Sequence, residues 1–588
     1  MRKVAMWFLA LGLVAAPAAS ALSGADDNKP ANSDSSKTTD SSKAPTGDAA
    51  KSNTPPKEST PPTSAELASE IEQLRALILK QADQLDRQQR EMEEMKAAMA
   101  RQTAPPNAPA AGTANNSVAP VAAGTTATLA ASAAEPAATP AASPQGGEVS
   151  PLQIHIGTAT ITPVGFMDFT MVDRTHTGGS GIGTNFSSIP YGNVFQDNLN
   201  EFRLSMQNSR IGFRVDADVW GAHVIGYMEA DFLGNNPGNV GVSSNSNTLR
   251  SRLYWADIRK DKWEILGGQT WSLITPNRTG VSPLPGDLFY TQNMDVNYQL
   301  GLVWGRIPEL RFVYHPSDKV ALAFALESPE QYVGGSAGGP APVCPAALAA
   351  SICGAGGATN AQFNNGSTTL NSPNRFPDVI VKLAFDPSKR VHIELGGVER
   401  QFADFNVPTS TKFTNTGGGG FLNFNVEPFK GFRLIGNGFW SDGGGRYIFG
   451  QAPDVIIRAN GSISPIHSGS TVDGFEYTHG KTMLFAYYGG LYISRNTAFD
   501  ANGTTLIGYG FAGSASSQNR IVHEATGGFN QTFWKDGKYG ALNLIGQYSY
   551  VSRDPWVVAA GAPANAHLNM VFLDLRYTLP GSAPTMGK

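Results

Sequence analysis

Charge is scarce in this sequence. Asp, Glu, Lys and Arg make up 16% of 588 residues, against about 25% in an ordinary soluble domain. The net charge of −4 excludes a strong electrostatic partner such as nucleic acid. Long apolar runs are also missing. Beyond the N-terminus no stretch approaches 18 uncharged apolar residues, so no transmembrane helix is expected. Cysteine is almost absent. Cys344 and Cys353, with eight residues between them in a Gly/Ala/Pro-rich stretch, are the two in the chain. In an oxidising compartment they are expected to pair within one loop. With no further Cys or His near them, neither a metal site nor a cofactor is expected. The nine histidines are scattered, none beside a recognisable nucleophile motif, so the chain does not read as an enzyme.

What is present begins with an export signal. Arg2 and Lys3 precede an apolar run from Val4 to Val14, and Ala19-Ser20-Ala21 follows as a small-x-small cleavage site. Residues 1–21 therefore read as a secretory signal peptide. Residues 22–63 are Ser, Thr, Pro, Lys and Asp with little to bury, a disordered linker. Residues 64–101 carry a heptad seam: Leu67, Ile71, Leu74, Ile78, Gln81, Leu85, Gln88, Met92, Met95 and Met99, spaced alternately by four and three. Such a seam predicts an α-helical coiled coil that self-associates, its two glutamines bearing on register or strand number. Heptads alone leave dimer and trimer open. Residues 102–157 form an Ala/Pro-rich linker.

From residue 158 the period changes to two. Phe202, Leu204 and Met206 alternate with Arg203, Ser205 and Gln207; Ile211, Phe213 and Val215 alternate with Gly212, Arg214 and Asp216. The apolar parity flips between Met206 and Ile211, which predicts a bulge or break near Asn208. Val224, Gly226, Met228 and Ala230 alternate with Ile225, Tyr227, Glu229 and Asp231, and the pattern returns near the C-terminus in Val571, Leu573, Leu575 and Tyr577. One apolar face and one charged face fit strands standing between lipid and a wet lumen. Gly, 65 residues in all, suits such a wall and its long loops.

Short turns at Trp220–Ala222, Lys260–Lys262, Pro316–Asp318, Pro387–Lys389, Phe429–Gly431 and Lys535–Gly537 interleave with long polar loops. The loops fall at about 174–198, 234–247, 272–296, 329–376, 403–417, 443–453, 495–519 and 554–565. The expectation is an all-β transmembrane barrel of about 16 antiparallel strands over 158–579, followed by a tail, 580–588. The weakest stretch is 454–480. A barrel this wide leaves an aqueous channel.

Several local strings carry a family likeness: Gly268-Gln269-Thr270-Trp271-Ser272, Ser209-Arg210-Ile211-Gly212-Phe213, Ala486-Tyr487-Tyr488-Gly489-Gly490, and Gln547-Tyr548-Ser549-Tyr550 before Arg553 and Trp556. With the order signal peptide, heptad helix, linker and barrel, the chain resembles the DcaP-like porins, a trimeric outer-membrane family, over about 64–579. The resemblance implies a homotrimer, a periplasmic coiled coil, and uptake of small anionic solutes such as dicarboxylates. One departure concerns the end. Barrels of this type finish on an aromatic residue, whereas here Pro580 to Lys588 follows Tyr577-Thr578-Leu579. Either Tyr577 serves as the assembly signal or assembly tolerates the tail.

The chemistry of a porin is selectivity, set by charges lining the lumen. Arg203, Arg214, Arg250 and Arg252 fall on the polar parity of early strands, as do Glu229 and Asp231. The loop after the fifth strand, expected to fold into the lumen as in general porins, adds Arg278, Asp287 and Asp295, stiffened by Pro283 and Pro285. These residues either line the pore or brace the wall as ion pairs. Outer-membrane lipid and small hydrophilic solutes are the expected partners. A substrate-specific channel for phosphate or sugars is the alternative; a surface adhesin or a barrel enzyme is the rival of another class.

Overall fold

The computed structural model describes residues 151–580, except 181, 235–246, 285–298, 335–340, 350–351, 354–373 and 449–451. The expected signal peptide, first linker, heptad seam and tail from residue 581 lie outside the described residues, as does the second linker up to residue 150.

Alternation becomes strands along the remainder: β1 (Ala159–Arg174), β2 (Glu201–Ser205 and Arg210–Val219), β3 (Ala222–Asp231), β4 (Arg250–Lys260), β5 (Trp263–Trp271), β6 (Arg306–Ser317), β7 (Val320–Glu327) and β8 (Asp378–Ser388). The second half continues with β9 (Val391–Asn406), β10 (Thr411–Phe429), β11 (Phe432–Asp442), β12 (His467–His479), β13 (Thr482–Ile493), β14 (Asn519–Asp536), β15 (Gly540–Pro555) and β16 (Ala566–Thr578). Each pairs antiparallel with its chain neighbour, and β16 closes on β1 with Leu575 opposite Phe169. The result is a closed 16-stranded antiparallel barrel, the one spanning form besides a helix that leaves no backbone edge in lipid. No helix among the described residues is long and apolar enough to cross a membrane.

The break in β2 lies where the parity flips. Residues 206–209 leave the ladder, and Asn208 is buried there. The upper segment of β2 pairs with the second half of β1, the lower with the first half. The six expected short turns fall within two residues of their places. At the first, Trp220 (φ 52°) and Gly221 (φ 76°) both take the left-handed region, as a two-residue primed hairpin turn requires. A seventh turn, Gly480–Lys481 between β12 and β13, sits in the stretch that read most weakly. There a small hairpin, Val455–Ile457 with Ile463–Pro465, precedes β12.

One expected loop is a correction. Most of residues 403–417 is strand: β9 and β10 run on as a long hairpin joined only at residues 407–410. Gly417 to Gly420 at the end of that expected loop let the ladders approach. A Cβ at Gly419 would lie 2.7 Å from both the Trp440 carbonyl and the Ser441 side chain. The loop after β5 is also longer than expected, running from residue 272 to 305.

The outer face carries the apolar residues. Met167, Phe169, Leu310, Phe312, Leu322, Phe324, Val381, Leu383, Leu573 and Leu575 are all exposed, where lipid would cover them. Trp220, Trp263, Phe429, Trp534 and Tyr539 project at the short-turn end, the aromatic girdle of a membrane interface. That end is the periplasmic one in barrels of this kind.

Candidate functional site

Period two sends every second residue of a strand into the lumen. On β2 to β4 the inward residues include Arg203, Arg214, Glu229, Asp231 and Arg250, and each finds an ionic partner or a hydrogen bond. Arg203 pairs with Glu201 through its Nε. Arg214 makes a forked contact with Asp216 at 2.8 and 2.6 Å. Arg250 does the same with Asp231 at 3.0 and 2.6 Å. Arg252 sits at a bulge in β4, where Ala230 faces Ser251 and Glu229 faces Leu253. Its guanidinium donates to Glu229 at 2.9 Å and to Asp231 at 2.5 Å, with no exposure at all. Arg252 is therefore a brace inside the wall, whereas Arg203 and Arg250 are half-open to the lumen. Asp287 and Asp295 lie outside the described residues.

The described parts of the segment after β5, residues 272–284 and 299–305 (L3 hereafter), fold into the barrel. Its first arm leaves β5 at the Gly268–Ser272 string and crosses the inner wall. Ser272 Oγ and the Leu273 amide both donate to Glu327 on β7, at 2.7 and 3.0 Å. Lys382 Nζ on β8 donates to the Thr275 carbonyl at 2.7 Å, and the Asn277 amide donates to Glu394 on β9 at 3.2 Å. The Gly280 amide reaches Asp386, near the short-turn end of β8, at 3.0 Å. Arg278 spans to the far wall and grips both oxygens of Glu476 on β12, at 2.9 and 2.6 Å. Tyr487 Oη donates to the same carboxylate at 2.9 Å. Thr270 Oγ1 on β5 then donates to the Pro283 carbonyl at 3.1 Å, so the arm turns back.

The returning arm is anchored as firmly. The Leu300 amide donates to Glu524 on β14 at 3.0 Å, and the Val303 amide to Asn437 on β11 at 3.4 Å. Gly489 of the Ala486–Gly490 string makes room for it, since a Cβ there would collide with the Leu300 carbonyl. Leu273, Ile274, Leu300, Leu302, Val303 and Trp304 are buried in one apolar cluster with Val313, Ile380, Phe439 and Phe485 of the inner wall. One side of the lumen is thus filled by L3.

Sequence reasoning missed the charges beneath it. Arg311, Lys382, Glu394 and Arg400 are buried, and each is paired. Arg400 binds Asp378 and Asp454 at 2.9 Å each, beside Tyr447, whose hydroxyl oxygen lies 3.0 Å from the carboxylates of both Glu327 and Asp378 and donates its one proton between them. The signal that could have found them is the one used on β2 and β4. Arg311 stands between Leu310 and Phe312, and Lys382 between Val381 and Leu383.

Where lumen charges reach water, the two ends of most pairs differ. Side-chain exposure is 51% for Arg203 against 8% for Glu201, 35% for Arg250 against 0% for Asp231, 22% for Arg278 against 5% for Glu476, and 18% for Arg259 against 0% for Asp257. The cation faces the water and the carboxylate lies against the wall. Arg214 and Asp216 run the other way, at 9% and 24%.

Cys344 and Cys353 are disulfide-bonded, with Cα atoms 6.6 Å apart. Their loop packs against the 496–509 hairpin, where the Val343 amide donates to the Gly508 carbonyl at 2.8 Å. Among the described residues no group of three or more His, Cys, Asp or Glu is placed to hold a metal ion.

The chain matches no family model and no curated protein. Its fold is similar to that of the outer membrane channel DcaP of Acinetobacter baumannii, with a TM-score of 0.51 at 16% identity, over 71% of this chain and 97% of that one. OprB of Pseudomonas putida aligns at TM-score 0.38 and 10% identity, over 71% of this chain and 94% of its own. OmpT, an outer membrane protein of Vibrio cholerae, aligns at TM-score 0.37 and 9% identity, over 72% and 99%. The likeness to DcaP is one of fold: a closed porin-type β-barrel.

Proposed function

We propose that this chain is an outer-membrane porin whose water-filled channel passes small hydrophilic solutes and prefers anions, dicarboxylates among them. The observation that carries the preference is the unequal exposure of the lumen ion pairs. The barrel segment is nearly neutral overall, so selectivity depends on which end of each pair meets the solute. Arg203, Arg250, Arg278 and Arg259 present guanidinium groups to water while their carboxylates are withdrawn. A low-dielectric wall focuses such a field, and a guanidinium edge suits a carboxylate by paired hydrogen bonds.

Export by residues 1–21 and self-association of the 64–101 helix in the periplasm, as a homotrimer, belong to the same reading. They are supported by the n-region, the cleavage site and the heptad seam.

The test is the reversal potential of the folded protein in planar bilayers under a KCl gradient. Wild type should reverse on the anion side. The Arg203→Gln, Arg250→Gln double variant, which leaves Glu201 and Asp231 behind, should move toward cation preference. An unchanged reversal potential would overturn the assignment.

A further inference from the structure

On β11 to β13 the outer wall rises from apolar residues to an aromatic shelf. Leu434, Phe475 and Leu484 lie low on it and are exposed. Higher up, Trp440, Gly469 and Tyr492 are ladder neighbours. Their outward direction follows from Phe439, Leu491 and Ile493, which are buried on the inner face. Trp440 stands nine residues above Gly431, and Tyr492 eleven above Lys481, about 23 and 28 Å up tilted strands. That is the upper edge of an apolar band about 25 Å tall. A side chain at Gly469 would collide with the Trp440 ring. The indole therefore crosses bare backbone to stack on Tyr492, with centroids 6.2 Å apart and planes 11° apart.

The shelf continues onto Trp556, just past β15. Its ring meets Tyr492 edge-on at 6.2 Å, and its Nε1 donates to the Ile493 carbonyl at 3.0 Å. Arg495 and Arg520 stand over this indole, their guanidinium carbons 4.4 and 5.9 Å from its centroid. Arg495 is exposed, and Arg520 sits in a bulge of β14 between Asn519 and Ile521. Among the described residues neither arginine forms an ion pair, and Arg520 Nε has no hydrogen-bond partner. Asp554, opposite Ile521 in the ladder, pairs with neither. They differ in this from Arg203, Arg250 and Arg278, each answered by a carboxylate.

Two like charges over one ring repel each other until an anion joins them. A guanidinium held over a ring keeps its N–H groups for an oxygen acceptor, and its fork matches phosphate. The geometry points to a site for a phosphate group of an anionic glycolipid in the outer leaflet. The height selects a lipid over a soluble anion. Tryptophan and tyrosine mark the level where hydrocarbon gives way to headgroups, and the exposed Phe475 and Leu484 below offer acyl chains an apolar wall. The inference rests on the outer-membrane reading and adds a ligand on the outside of the barrel, apart from the lumen arginines.

The experiment titrates the full chain, folded in detergent, with diphosphorylated lipid A and counts bound lipid by native mass spectrometry. Wild type should hold the lipid. The Arg495→Gln, Arg520→Gln double variant should bind at least about tenfold more weakly, having lost two charge-assisted contacts. Arg495→Gln alone, at an exposed residue outside the ladder, should weaken binding severalfold and keeps the test decisive if the double variant does not fold. Arg458→Gln, at an exposed arginine of the small external hairpin, should change nothing; an equal loss there would mean general charge attraction and overturn the site. Unaltered binding by the Arg495 and Arg520 variants would overturn it as well. So would equal binding of lipid A stripped of its phosphates, or displacement of the lipid by inorganic phosphate, which would assign the arginines to a soluble anion. The reversal potential of the Arg203 and Arg250 variant reads the lumen alone, so the channel reading and this site fail separately.

Discussion

The two sides of the lumen start from the same pattern and end in opposite states. On β2 and β4, inward arginines such as Arg203 and Arg250 meet water. On β6, β8 and β9, Arg311, Lys382, Glu394 and Arg400 occupy equivalent alternating positions and are sealed. Strand periodicity assigns both sets to the lumen; L3 decides which stay open to it and which are sealed. A sealed pair owes its worth to complete pairing, because a charge left alone in a dry wall is heavily penalised. A half-open pair contributes little to stability and most to the field a solute meets.

The largest expected effect follows from that difference. Glu394 pairs with Lys382 at 3.1 Å, lies 3.3 Å from His392 Nε2, and accepts from Asn423 at 2.7 Å and the Asn277 amide at 3.2 Å. Glu394→Gln strands the buried Lys382 charge and should cost about 3–5 kcal/mol. Arg250→Gln on the open side should cost about 1 kcal/mol or less. Urea unfolding in detergent measures both, and equal losses would erase the distinction between the two sides.

Arg278→Gln should have the next largest effect, since it cuts the forked bond to Glu476 that fixes L3 to the far wall. Charge-assisted bonds of this kind contribute about 1.5–3 kcal/mol. Single-channel recording should show a larger and noisier conductance, with the barrel still folded. An unaltered open-channel current would mean L3 is held by its apolar contacts alone. Smaller still is the selectivity contrast: Lys382→Gln should leave the reversal potential where it is, while Arg250→Gln shifts it by several millivolts. A shift from Lys382 would mean the sealed side conducts.

The smallest effect concerns pH. Asp404 lies on β9, thirteen residues above the turn that begins that strand, about 33 Å up and beyond the membrane band. Burial pushes its carboxyl up to about 7, with the Phe413 amide pulling the other way. In an unfolded chain the value is about 3.9. A raised folded value means the contribution to stability is complete below about pH 4 and is lost as pH rises through about 7. Hydrogen exchange of the β9–β10 hairpin tip, corrected for intrinsic rates, should be slower at pH 5 than at pH 8. Asp404→Asn should remove the difference.

Much of the wall was legible because one parity rule governs it. The break at Asn208 could be read from a single flip between Met206 and Ile211, and the turn at Trp220–Gly221 from its residues. The β9–β10 hairpin was not, because its glycines and polar residues signal a loop locally, and Gly417, Gly418 and Gly419 find their role only against Asp442, Val398 and Trp440 of the neighbouring strands. The path of L3 was beyond local reading for a similar reason. Arg278 and Glu476 are 198 residues apart, and no spacing in the chain relates them. The role of Arg252 turned on one bulge, which put two consecutive residues inside the wall.

The anchoring of L3 also orders events in time. Its two arms bind side chains on β7, β8, β9, β11, β12 and β14, and the Leu300 amide meets a carboxylate 224 residues further along. Closing loops of that span carries a high entropic cost until the intervening strands are in place. The wall must therefore be almost complete before L3 can find its seat. L3 is therefore a late-seating element, and the charges on β6, β8 and β9 are the last to be covered.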